Sequence, residues 1–282
     1  MKSSHITTDY SEINYKYLKG ISNDIRLELL KMSYTGKAPH LGSSLSCVEI
    51  LVAAYWGALN INPKDACNPL RDRLILSKGH AATTLYACLA HKGFFDRCEL
   101  DSFAKDGKNL PEHPGPGCAK GVEFATGSLG HGLSVGIGMA LSGKIMKRDF
   151  KVFVVMSDGE CNEGSVWEAA MFAPVHHLDN LLAVVDYNKW QATGRSNEVM
   201  SLNPLVDKWR AFGWDAEEID GHDLEQLVLK YRAENKTQKP TVLVAHTIKG
   251  KGVSFMEDDN NWHYRIPSVG EFEKAKRELG FI

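Results

Sequence analysis

Apolar and polar positions divide this chain into strand-length apolar runs separated by helix-length amphipathic segments. Leu18, Ile21, Ile25 and Leu29 recur at three- and four-residue intervals, so residues 11–35 are predicted to be helical, with Gly36 and Pro39 ending the run. A second helix is expected over 46–59, with Ser46 as its N-cap and Glu49 at the capping-box position. Residues 73–77 read as a short strand, followed by a turn at Gly79-His80 and an apolar helix over 81–91. Residues 101–127 are rich in Gly and Pro with little periodicity, which predicts a long functional loop. Small residues (Gly132, Gly136, Gly138, Ala140) mark a helix over 130–147 suited to close packing against a sheet or another subunit. The apolar runs 152–156 and 181–185 read as buried strands with a helix between them, a βαβ unit. A helix and turn (205–214), a strand (216–219), a helix from Asp223 (223–235) and a last strand after Pro240 (241–246) follow. The final segment, 269–282, is helical in pattern through Phe272, Ala275 and Leu279. Strands alternating with helices predict an α/β fold, a doubly wound, mostly parallel sheet with helices on both faces. With no internal repeat and no interdomain linker, residues 1–282 are expected to form one domain.

Charge narrows the function classes. Lys and Arg total 33 against 35 Asp and Glu, a net charge of −2, which gives no electrostatic footprint for nucleic acid or an anionic membrane. Any site for a phosphorylated ligand must therefore be local. The 6 cysteines include no C-x-x-C pair, which argues against a zinc site, and a disulfide framework is not expected in a chain of 282 residues. Reduced thiols and a cytoplasmic location are the expectation. Residues 1–10 lack an apolar stretch of signal-peptide type, and no run approaches the roughly 18 apolar residues of a membrane span.

Candidate chemistry sits at the ends of the two runs of the βαβ unit. The first closes on Ser157-Asp158-Gly159-Glu160, the second on Asp186-Tyr187-Asn188, so each strand finishes on a hard oxygen ligand. In an open α/β sheet, ligands bind at the carboxyl ends of the strands. A divalent cation on a diphosphate takes about six oxygens. Asp158 offers a carboxylate, Asn188 a side-chain carbonyl and Trp190 a backbone carbonyl, with the diphosphate supplying the rest. Gly159 lets the main chain approach a phosphate, and the helix after it is expected to present N–H groups to an anion. Taken singly, Asp158 and Asn188 read as ordinary turn residues; the pair at this spacing reads as a site.

These residues resemble the thiamine diphosphate motif, and flanking segments are similar to those of the transketolase family. Arg71 to His80 resembles the family's strand and Ser-x-Gly-His turn, Glu112-His113-Pro114 its Gly-His-Pro loop, and Ala38 to Gly42 its first histidine loop. Thr126 to Gly132 resembles its Thr-Gly-x-Leu-Gly-Gln-Gly stretch, and Lys249 to Gly252 with Trp262-His263 the end of its first domain. The resemblance implies thiamine diphosphate with Mg²⁺, or another divalent cation such as Ca²⁺ or Mn²⁺, as cofactors. By the same resemblance Asp158, Asn188 and Trp190 hold the metal, and His80, His263, Gly127, Leu129, Asp158, Gly159 and Asn188 bind the cofactor. His40 and His113 line the substrate channel, and imidazole is suited to bonding sugar hydroxyls and moving protons near neutral pH. Glu163 matches an acidic residue of the dimer-interface network, or is a carboxylate placed for the helix macrodipole. His40, His113, His263 and Glu163 are thus the implied catalytic set. Departures are Ser157, which places a hydroxyl near the phosphate, Tyr187, and His131 where the family more often has Gln.

In this family the glutamate that activates the cofactor belongs to a pyrimidine-binding domain lying beyond the point matched by Gly252. That domain and the C-terminal domain have no counterpart in residues 1–282. The expectation is a diphosphate-binding subunit of a split transketolase, joined to a C-terminal subunit in an α2β2 complex and acting on sugar phosphates, without nucleic acid or membrane. The alternatives are a piece of a longer protein, a deoxyxylulose-phosphate synthase or 2-oxo-acid dehydrogenase subunit, a transketolase for an unusual sugar phosphate, or a non-catalytic regulatory subunit.

Overall fold

The strands β1 (Arg73–Leu76), β2 (Val152–Ser157), β3 (Leu181–Tyr187), β4 (Asp215–Asp220) and β5 (Thr241–His246) form one parallel sheet in the order β1-β2-β3-β5-β4. The computed structural model describes residues 13–282. Parallel neighbours need crossovers, and the helices supply them. In chain order they are α1 (Tyr15–Gly36), α2 (Leu41–Ser46), α3 (Val48–Val52), α4 (Ala82–Lys92), α5 (Gly132–Ile145), α6 (Gly164–Val175), α7 (Ser196–Val199), α8 (Leu205–Ala211), α9 (Leu224–Arg232) and α10 (Val269–Glu278).

The two-residue period of a strand divides each apolar run between two cores. Phe153 and Val155 pack with α1, α3, α4 and α9 on one face, while Val152, Val154 and Met156 pack with α5, α6 and α8 on the other. Both faces are covered, so the strands read as continuous apolar runs. The small residues of α5 have the use their pattern suggested. A Cβ at Gly136 would run into Val154, so glycine sets the distance between this helix and the sheet.

The predicted elements recur with shifted ends. The first helix begins at Tyr15, and residues 11 and 12 of its predicted span, with residues 1–10, lie outside the described residues. The last helix starts from a capping box at Ser268 and Glu271 and buries Ala275, while Phe272 stacks on Tyr34 with centroids 4.9 Å apart. The single helix expected over 46–59 is not formed as predicted. Ser46 closes α2, and α3 runs on into a π-helical segment, Ala53–Ala58. The reason lies in the partners of the two supposed capping residues. The Ser46 hydroxyl donates to Asp186 on β3, 2.6 Å away, and Glu49 accepts two bonds from Arg26 of α1 at 2.7 and 2.8 Å. Tertiary partners outbid the local cap.

Candidate active site

The strand ends of β2 and β3 lie side by side, with Ser157 in register with Asp186. Asp158 and Asp186 are both fully buried, yet their surroundings differ. Asp186 pairs with Lys78, also fully buried, and accepts from Ser46 and Thr247. Burial alone would raise its carboxyl; the Lys78 charge and these hydrogen bonds outweigh that and hold it below the usual range. Asp186 is thus committed to the protein, and the second strand offers its oxygen through Asn188 alone.

Asp158 has no ion-pair partner among the described residues. Its Oδ1 accepts from the Gly159 N–H at 2.8 Å, and its Oδ2 from Lys189 N–H at 2.9 Å and the Ser196 hydroxyl at 2.8 Å. Burial pushes this carboxyl up to about 6 despite the three donors, and the Asp186 charge adds to the rise. A carboxylate accepts roughly four bonds, so one direction of Asp158 is still open. A buried anion with no cation and an open lone pair is the chemistry of a metal ligand. Asn188 Oδ1 accepts from the Trp190 N–H at 3.0 Å, one lone pair of two. These oxygens fit a hard divalent cation that takes its other ligands from a diphosphate. The element after Asp158 is a four-residue 3-10 turn, Gly159–Asn162, rather than a helix, and its first N–H is spent on Asp158. The Ser157 hydroxyl also turns inward, toward Glu160, 3.5 Å away.

Four loops bring their histidines to one place. His40 lies 4.8 Å from His263, 5.6 Å from His80 and 5.9 Å from His113 between ring centroids, and His80 lies 5.9 Å from His263. His40 is held at φ 70°, a left-handed conformation sparse for residues other than glycine. Its backbone N–H donates to the His263 carbonyl at 2.7 Å, which locks the two loops together. The His80 turn packs so closely on the loop of Gly127 that a Cβ at Gly79 would stand 2.6 Å from the Thr126 carbonyl. Gly127 in turn faces His113: a Cβ there would meet its ring at 3.3 Å. Two buried polar atoms at this place, His40 Nδ1 and Thr126 Oγ1, have no hydrogen-bond partner among the described residues. Unsatisfied buried groups call for a ligand or water.

Three imidazoles of this cluster, those of His40, His80 and His263, are held neutral at neutral pH. Burial, with the charges of His113, Lys249 and Lys78, lowers His40 to about 4. Burial, with Lys249, lowers His263 to about 3, and burial, with Lys78, drives His80 well below its ordinary value. They therefore work as hydrogen-bonding groups more than as proton carriers near pH 7, which corrects the expectation from residue type. The Lys249 ammonium, 3.1 Å from His263 Nδ1, requires that atom to accept, so the neutral ring carries its proton on Nε2. In the unfolded chain these histidines protonate below about 6.5. Between that pH and about 4 for His40 or about 3 for His263, the unfolded state binds more protons. Stability should thus fall as pH is lowered from 7 to 4. Urea midpoints across that window check this: a His40→Gln/His263→Gln variant should show a shallower decline, and an equal slope would contradict it.

The other predicted residues stand apart. Leu129 is half-buried on the turn into α5. Glu163 is exposed at the N-cap of α6 and makes no capping bond with its side chain. Sequence reading passed over Glu160, which is buried and accepts from Gly130 N–H at 3.0 Å, Ser157 N–H at 2.9 Å and the Ser77 hydroxyl. It also passed over the Lys78–Asp186 pair and over Lys249, although Lys78 and Lys249 lie inside segments that drew attention. The available signal was a lysine flanked by glycine in an otherwise apolar stretch. No helix among the described residues is long and apolar enough to cross a membrane.

An open parallel sheet with a histidine-lined, oxygen-rich cleft at its carboxyl ends defines an α/β ligand-binding domain of an enzyme. Residues 19–282 match the family described as "Transketolase, thiamine diphosphate binding domain". The chain is 43% identical over 255 residues to an apulose-4-phosphate transketolase subunit of Phocaeicola vulgatus, covering 90% of each. It is 45% identical over 219 residues to a 6-deoxy-6-sulfo-D-fructose transketolase subunit of a Clostridium species, covering 77% of this chain and 80% of that one. Its fold superposes on the crystal structure of Campylobacter jejuni transketolase with TM-score 0.87 and 28% identity, over 95% of this chain but 43% of that one. The chain belongs to the transketolase family. It is a transketolase-type transferase subunit that carries the family's thiamine diphosphate-binding domain.

Proposed function

We propose that this chain is the diphosphate-binding half of a split transketolase, a single domain active only with a separate subunit that carries the pyrimidine-binding domain. The carrying observation is the convergence of His40, His80, His113 and His263 from four separate loops onto one cleft. Bound thiamine diphosphate supplies the carbon nucleophile that takes a two-carbon ketol unit from a ketose phosphate and passes it to an aldose phosphate. Asp158, Asn188 and the Trp190 carbonyl hold Mg²⁺ or a similar cation against the diphosphate, with Gly159 beside it. His80 and His263 face the cofactor, with Gly127 and Leu129 on its aminopyrimidine side. His40, through a neutral imidazole, and His113 orient the sugar. Glu163, exposed at the head of α6, is assigned to the contact with the partner.

The need for a partner is supported by the lengths: 90% of a transketolase subunit is covered, but 43% of a single-chain transketolase. It is supported also by α5 and α6, whose outer sides expose Ile145, Met171, Phe172 and Val175. A further apolar patch, with Phe124 and Val135, lines a cavity beside Gly127. Their occupant is the partner subunit, since the missing activating carboxylate must reach the histidine cleft. An α2β2 complex satisfies both requirements. A substrate other than the common pentose phosphates, a branched sugar phosphate or a sulfonated sugar, is favoured by the two relatives above, at 43% and 45% identity.

The test is ketol transfer with Mg²⁺ and thiamine diphosphate, from xylulose 5-phosphate and from branched or sulfonated ketoses. It is run on this chain alone and mixed with the product of the adjacent gene. Activity in the mixture alone is the expected result. Full turnover by the isolated chain, or a formed and cofactor-loaded complex without ketol transfer, would overturn the proposal.

A further inference from the structure

One aromatic side chain at the histidine cluster has no structural use. Tyr264 follows the 3-10 turn Asn260–His263 and is 64% exposed. Its ring centroid lies 4.7 Å from that of His263, near perpendicular at 74°, and 6.2 Å from that of His40. It is the outermost ring of the cluster, because His40, His80, His113 and His263 are all buried or half-buried. Its hydroxyl has no hydrogen-bond partner among the described residues. On a ring this exposed the hydroxyl is met by water, which a ligand hydroxyl beside the histidines can replace.

The backbone beneath it is fixed on both sides. His263 is tied to Lys249 and to the backbone of His40, and Tyr264 N–H donates to the Asn261 carbonyl at 3.2 Å. Arg265 is turned away: its guanidinium lies over Trp262 at 4.4 Å and pairs with Glu271 at 2.6 Å. The turn thus fixes the backbone position of Tyr264, while its side chain keeps a freedom that a bound sugar would have to restrict.

Resting on the reading above, we propose that Tyr264 is a specificity-determining residue for the sugar phosphate. Its ring forms a wall at the mouth of the histidine cleft against the C–H face of the sugar, and its hydroxyl bonds a sugar hydroxyl. A sugar that reaches His40 and His263 must pass this ring. A wall of this kind discriminates substrates of different length and branching, because one well-formed pocket contact separates competitors by roughly 10- to 200-fold.

The test uses the assembled complex, with Tyr264→Ala and Tyr264→Phe beside wild type, and two ketose phosphates of different length, xylulose 5-phosphate and fructose 6-phosphate. Three quantities are measured: kcat and KM for each donor, the dissociation constant of thiamine diphosphate, and assembly by sedimentation. Tyr264→Ala should raise donor KM about tenfold and change the ratio of kcat/KM between the two donors, while cofactor affinity stays the same. Tyr264→Phe should keep the ratio and lose only the hydroxyl's share. Equal loss for both donors, an unchanged KM, weakened cofactor binding or failed assembly would overturn the proposal. A wild-type complex inactive with these donors and also with branched and sulfonated ketoses would instead sink the transketolase reading itself.

Discussion

Asp158→Asn should raise the dissociation constant for thiamine diphosphate with Mg²⁺ by about 100-fold or more while leaving the unliganded fold almost as stable. Loss of a residue that merely supports a metal ligand costs roughly 10–100-fold, and Asp158 is assigned as the ligand itself. The asymmetry between affinity and stability follows from its surroundings. The carboxylate is buried without an ion-pair partner, and burial lifts its pKa to about 6, so its charge is a cost that the cation offsets. An amide keeps an oxygen acceptor for the Lys189 N–H and the Ser196 hydroxyl and removes the charge. Calorimetric titration of the cofactor at saturating Mg²⁺, with thermal unfolding of the apo-protein alongside, measures both effects. Unchanged affinity would remove Asp158 from the metal site and favour a subunit that kept the fold without the chemistry.

The second large effect is on stability. Lys78→Met should destabilise the chain by about 3–5 kcal/mol, because it strands Asp186 as a buried charge. The Ser46 and Thr247 hydroxyls still donate to that carboxylate, so the fold survives in weakened form. Lys78 also donates to the Ser43 carbonyl at 2.8 Å, so the substitution loosens α2 and the His40 loop ahead of it. A Lys78→Met/Asp186→Leu double variant should regain much of the loss, since paired buried charges replaced by apolar groups are often neutral. Urea unfolding of the three proteins decides it. A single variant within about 1 kcal/mol of wild type would mean that water reaches this pair, as only exposed ion pairs contribute so little.

Much of the fold was legible because burial on both sides writes itself into a strand. Val152 to Met156 and Leu181 to Val185 could be read without partners, since continuous apolar runs of that length between helix-length segments fit a covered parallel sheet. The failure at 46–59 has the opposite cause. Ser46 and Glu49 match a local capping pattern, but their side chains are claimed by Asp186 and Arg26, which are distant in sequence. Position at a strand end alone likewise cannot show that Lys78 already holds Asp186.

The sequence by itself determined the sheet, the motif order and the identity of the histidines, because those depend on periodicity and on residue type at fixed spacing. Tertiary structure alone decided which of two strand-end aspartates keeps an unpaired charge, and that the imidazoles of His40, His80 and His263 are neutral. Charge state depends on burial and on neighbours from β1, β3 and the Lys249 loop, which are brought together only when the sheet closes. It likewise decided that Tyr264 lies over His263 and His40, a juxtaposition set by the path of a turn rather than by any sequence pattern.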